Sequence, residues 1–162
     1  MKTDRKAEIV AIASKLFREK GYSAVTVRDI AQALDIKAAS LYNHISSKQE
    51  ILHLMIINIA EQYTNTISEI LDSSETTLSK LQRVIKLHID ITVENPDAMA
   101  SLNNDWMHLQ EDDLKYFLKM REEYEQKFRI IIKNGIERGE VKNHNAEVMI
   151  FSMLSTLRTL YL

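Results

Sequence analysis

The chain has 162 residues, of which 45% are hydrophobic and 27% charged, with one proline, three glycines and no cysteine. This composition excludes a disordered chain, a disulfide framework, a CxxC metal site and a thiol nucleophile. Strand-rich folds need turn residues about every 8–12 positions, so this scarcity of glycine and proline predicts an all-α fold with long helices.

No segment resembles an export signal or a membrane anchor. Residues 1–6 carry charges and lead into an amphipathic stretch, unlike a signal peptide. The most apolar run, residues 51–60, is interrupted by His53 and Asn58 and is too short to span a bilayer. We therefore expect a cytoplasmic protein without a membrane partner.

The net charge of −2 conceals an uneven distribution along the chain. Residues 1–48 carry nine Lys or Arg and five Asp or Glu, whereas residues 49–162 carry twelve and eighteen. A basic N-terminal segment on an acidic remainder indicates that this segment meets a polyanion such as nucleic acid. The excess is small enough that charge alone is also compatible with a chance fluctuation.

Helix start and stop signals divide the first third of the chain. An apolar stripe at helical spacing predicts a helix over residues ~4–20, and Gly21 stands where a left-handed C-terminal cap is needed. Thr26 and Asp29 have the spacing of a capping box, which predicts that a second, short helix follows Thr26.

The sequence pattern of residues 35–50 predicts the rest of a three-helix unit. Residues 35–37 predict a turn, and residues 38–44 predict another short helix. Ser47 and Glu50 have the spacing of a second capping box, at the start of a long apolar-striped helix. Two short helices joined by a short turn and braced by a preceding helix form a helix-turn-helix.

The second short helix has few side chains suited to burial. Small residues at its start would let it approach base edges closely in a major groove, and polar residues follow them. An ordinary surface helix would have the same pattern, so this alternative remains open. The small residues are Ala38, Ala39 and Ser40, and the polar ones are Tyr42, Asn43 and His44.

The segments from Phe17 to Ala31 and from Leu34 to Leu52 resemble the DNA-binding domain of the TetR family of repressors. The resemblance covers residues ~6–54 without a gap. It departs from the family at Asp35, where glycine is usual, and at Ile45, where phenylalanine is usual. Aspartate tolerates the left-handed conformation better than most residues, and isoleucine keeps the position apolar.

This resemblance implies a double-stranded DNA operator as partner and assigns candidate contacts. Arg28 is the candidate for reading guanine through two hydrogen bonds. Alternatively, Arg28 pairs with Asp29 or Asp35, Tyr42 is half-buried core, and Lys48 is a solvated helix residue. The candidate phosphate contacts are Thr26, Tyr42, His44 and Lys48, and the remaining candidate contacts to bases or phosphates are Lys37, Ala38, Ala39, Ser40 and Asn43.

The remaining two thirds predict further long helices. We expect an N-terminal three-helix DNA-binding domain, residues 1–46, and a helical effector-binding and dimerisation domain, residues 47–162, as the resemblance implies. An apolar stripe that includes His88 marks the helix over residues ~77–94. Family members normally have one more helix, so we expect the chain to lack its last one.

A Met- and aromatic-rich set suits a flexible apolar pocket for a small-molecule effector. The same residues could equally be ordinary core. The context of Trp106 resembles family members that respond to fatty acyl or acyl-CoA-like effectors. The candidate pocket residues are Met99, Leu102, Trp106, Met107, Tyr116, Phe117, Met120 and Tyr124.

The last segment carries an apolar stripe that is a candidate surface for a homodimer. Packing of the stripe onto its own chain is the open alternative. The stripe consists of Phe151, Leu154, Leu157 and Tyr161.

Catalytic and metal signatures are lacking in the sequence. His108, Glu111 and Asp112 have ligand-like spacing, but no HExxH or histidine pair accompanies them, so no metal, no cofactor and no enzymatic activity is expected. The sequence predicts a ligand-responsive repressor that a small hydrophobic effector releases from a palindromic operator. The alternatives are a ligand-independent dimeric DNA-binding protein and a helical small-molecule-binding enzyme.

Overall fold

The computed structural model describes residues 5–160, which fold into helices without any strand. The all-α prediction is confirmed. The elements are α1 (Arg5–Lys20), α2 (Val27–Ala33), α3 (Ala38–Leu41), α4 (Lys48–Asp72), α5 (Thr77–Glu94), α6 (Pro96–Asn104), a short 3₁₀ helix (Trp106–His108), α7 (Glu111–Glu137) and α8 (Ala146–Arg158).

The predicted helix punctuation in the N-terminal segment is largely present. Gly21 has φ of 81° after α1, as a left-handed C-terminal cap requires. Thr26 caps α2, because its hydroxyl accepts from the Asp29 N–H at 3.2 Å while the Asp29 carboxylate accepts from the Thr26 N–H at 2.7 Å. Asp35 has φ of 53°, so an aspartate takes the left-handed conformation in the turn after α2.

Helix α3 is shorter than the predicted residues 38–44, and α6 also ends in a tighter turn. α3 ends at Leu41, because the N–H groups of Asn43 and His44 bond the carbonyls of Ser40 and Leu41, three residues back, in a tighter turn. α6 ends at Asn104, and the following residues form the 3₁₀ helix with the same three-residue spacing. Neither end carries a glycine or proline that would have marked it.

The chain forms two compact units. Unit 1 comprises residues 1–58 and 95–115, and unit 2 comprises residues 59–94 and 116–162. In unit 1, α6 packs along α1, and the fully buried side chains include Phe17, Ile30 and Ile45. The predicted functional domains, residues 1–46 and 47–162, stay a prediction.

Within residues 5–160, no helix combines the length and apolarity that crossing a bilayer requires. The same residues contain no group of three or more His, Asp or Glu side chains placed to hold a metal ion.

Helix α5 buries a face that differs from its predicted apolar stripe. Leu78 is 65% exposed and Val93 74% exposed, and Ile85 and Ile89 are also exposed. His88 of the predicted stripe is buried, as is Val84, and the buried face also includes the polar residues Thr77, Lys80 and Thr92. Lys80 can be buried because its ammonium donates to the Leu71 carbonyl at 2.7 Å. This carbonyl lies in the last turn of α4 and has no partner within that helix.

A buried aromatic cluster lies at the centre of unit 2. The His88 Nε2 is 2.8 Å from the Tyr124 hydroxyl, and the His88 ring lies 4.6 Å from the ring of Tyr63. Burial lowers the pKa of His88 from 6.5 to about 4, because the protonated imidazole would lose its hydration. The imidazole is therefore neutral at physiological pH.

Helix α7 closely approaches the start of α5 at Gly135. A Cβ added there would lie 2.5 Å from the Thr77 Cγ2 and 2.9 Å from the Val141 Cγ2. Both neighbours are β-branched and restricted in their rotamers. A residue without a side chain is needed for the two helices to pack at this distance.

The replacement Gly135→Ala is expected to lower the free energy of unfolding by about 1–2 kcal/mol, measured by urea denaturation. Overpacking costs about 1–3 kcal/mol and should outweigh the gain of up to about 1 kcal/mol in helix propensity. Adding Thr77→Ser removes the nearest of the three crowding atoms and should recover part of the loss. A more stable Gly135→Ala protein would contradict the close approach.

The stability of the protein is expected to fall as the pH decreases from about 6.5 to about 4. The pKa of His88 is lower in the folded than in the unfolded chain, so the unfolded chain binds more protons in this window. The loss attributable to His88 is at most about 3 kcal/mol. Urea denaturation of His88→Gln should show a flatter pH dependence than that of the unaltered protein in this window.

Candidate nucleic-acid interface

A concave surface between α2 and α3 brings together several of the predicted DNA contacts. Its volume is about 520 Å³. Arg28 and Gln32 approach it from α2, Asp35 from the turn, and Lys37 and Ala38 from the start of α3. Charged and small side chains thus share one surface, where small residues leave room and a guanidinium and an ammonium supply positive charge.

The side chains around this surface are available for external contacts. Within residues 5–160, neither Asp29 nor Asp35 pairs with Arg28, and Lys37 makes no side-chain cap bond to α3. Tyr42 is exposed rather than half-buried. The other exposed candidates are Ala39, Ser40, Asn43 and His44, while Ala38 is half-buried.

Thr26 is fully engaged within the chain. Its N–H and its hydroxyl both donate to the Asp29 carboxylate at 2.7 Å. These hydrogen bonds from Thr26 lower the pKa of Asp29. The geometry makes Thr26 the residue that fixes the start of α2.

Lys48 is also engaged within unit 1. Its ammonium donates to the carbonyls of Tyr22 and Val25, both at 2.9 Å, and lies 4.1 Å from the centre of the Tyr22 ring. Burial lowers the pKa of Lys48, and the charge of Asp105 opposes this effect. Lys48 thereby ties the start of α4 to the loop that leads into α2.

Tyr22 connects this loop to the 3₁₀ helix. Its buried ring packs edge-on against Phe17 and stacks on His108 at 5.3 Å with an angle of 25°. The Gln49 amide donates to the His108 carbonyl at 2.8 Å. No sequence pattern indicated the roles of Tyr22, Gln49 and His108, because local patterns do not signal contacts between residues more than 50 positions apart.

The second capping box is present in part. The Glu50 N–H donates to the Ser47 hydroxyl at 3.1 Å as predicted, but the Glu50 carboxylate accepts from the Ser46 N–H and hydroxyl instead of from Ser47. Lys6 of α1 pairs with the same carboxylate at 2.6 Å. Hydrogen bonds from Lys6 and Ser46 lower the pKa of Glu50 to about 2.

The eight predicted pocket residues are divided between the two units. In unit 1, Met99 is buried, Leu102 and Trp106 are half-buried, and Met107 is exposed. In unit 2, Phe117, Met120 and Tyr124 are buried, whereas Tyr116 is exposed and donates to Glu61 at 3.0 Å. Their role in binding an effector stays a prediction.

The predicted dimerisation residues differ in their exposure. Phe151 is 73% exposed, whereas Leu154 is 4% exposed and Leu157 is also buried within unit 2. Tyr161 lies outside the described residues. The exposed large apolar side chains of α8 are therefore Val148 and Phe151.

Comparison with protein families identifies both parts of the chain. Residues 9–55 match bacterial regulatory proteins of the tetR family, and residues 74–162 match the tetracyclin repressor-like C-terminal domain. The chain belongs to the TetR family. TetR-family proteins are DNA-binding transcription regulators rather than enzymes.

Characterised TetR-family relatives align with most of the chain. The transcriptional repressor KstR2 of Rhodococcus jostii is 28% identical over 147 residues, covering 88% of this chain and 70% of the relative. The nucleoid occlusion factor SlmA of Vibrio vulnificus is 28% identical over 115 residues, covering 70% and 59%.

Solved TetR-family structures share the fold. PfmR of Thermus thermophilus superposes with a TM-score of 0.83 at 27% identity, covering 94% of this chain and 84% of that structure. KstR2 of Mycobacterium tuberculosis superposes with a TM-score of 0.91 at 21% identity, covering 99% and 83%.

Two lysines of unit 1 are expected to differ in their effect on stability. Lys48→Met should lower the free energy of unfolding by about 1–2 kcal/mol, because two charge-assisted hydrogen bonds are lost at a position only partly shielded from water. Lys37→Met, at an exposed lysine, should change it by no more than about 0.5 kcal/mol. Equal stabilities in urea denaturation would show that Lys48 does not hold the loop.

Proposed function

We propose that the protein is a repressor that binds a palindromic operator as a homodimer and is released by a small hydrophobic effector. The observation that carries this proposal is the concave surface between α2 and α3, where Arg28 and Lys37 are exposed beside the small residue Ala38. Such a surface suits the major groove, which a helix with small residues enters closely.

Arg28 is the proposed base-reading residue. Its guanidinium has no partner among residues 5–160, and a guanidinium can donate two parallel hydrogen bonds to one guanine. Lys37, Tyr42 and His44 are the proposed phosphate contacts, and Ala39, Ser40 and Asn43 complete the surface that faces the groove.

Thr26 and Lys48 support DNA binding indirectly in this proposal. The Thr26 hydroxyl caps α2, and the Lys48 ammonium holds the preceding loop, so both groups orient the surface that carries Arg28. A direct phosphate contact by Lys48, as expected from the sequence, would require this ammonium to leave two carbonyl oxygens. The salt dependence of binding separates the two roles.

An effector would act through residues 95–109. α6 follows α5 directly after Asn95, and the 3₁₀ helix beyond it holds Tyr22 at the loop before α2. A shift of α6 would therefore reach the helix-turn-helix through this loop. An effector that binds more tightly when α6 is shifted would favour that conformation and so release the DNA. The size of the effect depends on the difference between the effector's affinities for the shifted and unshifted conformations.

The relatives indicate which effector classes to try first. The structure of AibR, at 16% identity with a TM-score of 0.82, contains isovaleryl coenzyme A and operator DNA. KstR2 is described as a ketosteroid regulator. A fatty acyl or acyl-CoA-like effector for this chain is a proposal that the isovaleryl coenzyme A in the AibR structure supports.

Homodimerisation is proposed to use exposed apolar residues of unit 2. Phe151 and Val148 of α8 are exposed, and so are Leu78 and Ile89 of α5. Exposed apolar side chains of this number indicate an interaction surface. Two copies related by a twofold axis would present two recognition helices to successive major grooves, about 34–36 Å apart.

The decisive experiment is a gel shift with the DNA upstream of the protein's own gene, with and without a cell lipid extract. A shift that the extract abolishes supports the proposal. A shift that no extract changes would instead favour a ligand-independent DNA-binding protein, a role compatible with the likeness to a nucleoid occlusion factor. The absence of any shift would overturn both.

Replacing Arg28 by Ala is expected to cost about 1–3 kcal/mol in DNA binding and to relax the preference at one base pair of each half-site. Lys37→Met should weaken binding to all sequences and reduce the salt slope by about two units for the dimer, since one phosphate contact is lost in each protomer. Lys48→Met should leave that slope unchanged. Selection from random DNA and titration at several salt concentrations measure these effects, and an unaltered preference in Arg28→Ala would refute its base-reading role.

A further inference from the structure

Two buried polar atoms of α5 have no hydrogen-bond partner among the described residues. They are the Nδ1 of His88 and the Oγ1 of Thr92, in side chains that are 5% and 7% exposed. Residues four positions apart lie on the same face of a helix. Burying a polar atom without a partner is unfavourable, so two such atoms one turn apart require an explanation.

The hydrogen bond of Tyr124 determines which hydrogen-bonding group His88 leaves free. Among residues 5–160 the Tyr124 hydroxyl has one partner, the His88 Nε2 at 2.8 Å. Burial raises the pKa of Tyr124, so its hydroxyl keeps its hydrogen and needs an acceptor. The hydroxyl therefore donates to Nε2, and a neutral imidazole then carries its hydrogen on Nδ1. Both unpartnered groups, Nδ1–H and the Thr92 hydroxyl, are able to donate.

Aromatic rings pack against the imidazole of His88. The ring of Tyr63 lies 4.6 Å from that of His88 and 5.7 Å from that of Tyr124, which in turn lies 6.5 Å from the ring of Phe128. A molecule that reaches the two donors must therefore be largely apolar. It needs at least one acceptor atom, because a hydrocarbon would leave both donors unsatisfied.

The charges near the cluster indicate that the acceptor is neutral. Arg158, the cation whose charge acts on His88, already donates to the Glu125 carboxylate at 2.8 Å. The imidazole of His88 is neutral, because burial lowers its pKa to about 4. A buried carboxylate would have no free positive charge to offset its lost hydration.

We propose that His88 and Thr92 bind the oxygen of an uncharged, largely apolar carbonyl compound through the Nδ1–H and the hydroxyl. This proposal rests on the proposed function, in which a small hydrophobic effector releases the DNA, and it favours a neutral carbonyl compound over a charged fatty acid or acyl-CoA as that effector. The carbonyl oxygen has two lone pairs and accepts from both donors at once.

The test compares two probes of the same shape. Cyclohexanone has a carbonyl oxygen where methylenecyclohexane has a CH₂ group. The full chain with ¹⁵N-labelled histidine is titrated with each probe and followed by NMR. Cyclohexanone is expected to bind about tenfold more tightly and to shift the Nδ1 resonance of His88. Equal affinities, no binding of cyclohexanone, or an unmoved Nδ1 resonance would each overturn the proposal, and would leave a buried water as the partner of these atoms.

Variants assign the preference to the two side chains. His88→Phe and Thr92→Val should each reduce the affinity for cyclohexanone three- to tenfold and leave that for methylenecyclohexane unchanged. Thr64→Val is the matched control, because the buried Thr64 hydroxyl is already satisfied by the Ala60 carbonyl at 2.8 Å. A similar loss in Thr64→Val would contradict the assignment.

Thermal unfolding without any probe gives an independent readout. Thr92→Val removes an unpartnered hydroxyl and should raise the melting temperature by about 2–4 °C for a chain of this size. Thr64→Val removes a satisfied hydroxyl and should not raise it. A melting temperature of Thr92→Val at or below that of the unaltered protein would show that the Thr92 hydroxyl has a partner, and would overturn the proposal.

DNA binding distinguishes this proposal from the proposed function. If the protein shifts its upstream DNA but does not prefer cyclohexanone, the carbonyl site is wrong and the repressor function stands. If it prefers cyclohexanone through His88 and Thr92 but binds no DNA, the site stands and the repressor function is wrong.

Discussion

The position of the helix-turn-helix depends on a single ammonium group. Lys48 holds the carbonyls of Tyr22 and Val25, and these residues form the loop that ends where Thr26 caps α2. The same Tyr22 ring stacks on His108 of the 3₁₀ helix. A partly buried ammonium group without partners would be unfavourable, so these hydrogen bonds stabilise the loop against α4. Through Tyr22, the loop also contacts the 3₁₀ helix.

Local hydrogen bonds explain why much of the fold could be predicted from the sequence. The cap of α2 joins Thr26 to Asp29, and the end of α1 needs only the conformational freedom of Gly21. Both signals lie within a few residues of the helix end that they determine. The ends of α3 and α6 lack such residues, so their lengths depend on tighter turns that no sequence pattern marked.

The buried face of α5 could be predicted only in part, because periodicity identifies an apolar face but not which neighbours will cover it. Lys80 and His88 are buried since each finds a partner distant in sequence, the Leu71 carbonyl and the Tyr124 hydroxyl. The same limit applies to the candidate site. Exposure of Arg28 follows from local sequence, whereas the engagement of Lys48 depends on residues more than 20 positions away.

Asp35 has a consequence for how the protein would search a genome. Its left-handed conformation is one that glycine adopts without cost, yet the side chain adds a carboxylate to the surface shared by Arg28 and Lys37. A phosphate that approaches this surface is attracted by two cations and repelled by one anion. Repulsion of this kind weakens binding to every sequence alike, and base contacts then make up a larger part of the total affinity. If Arg28 and Lys37 contact DNA as proposed, Asp35 would thereby shorten the time that the protein spends on unrelated DNA.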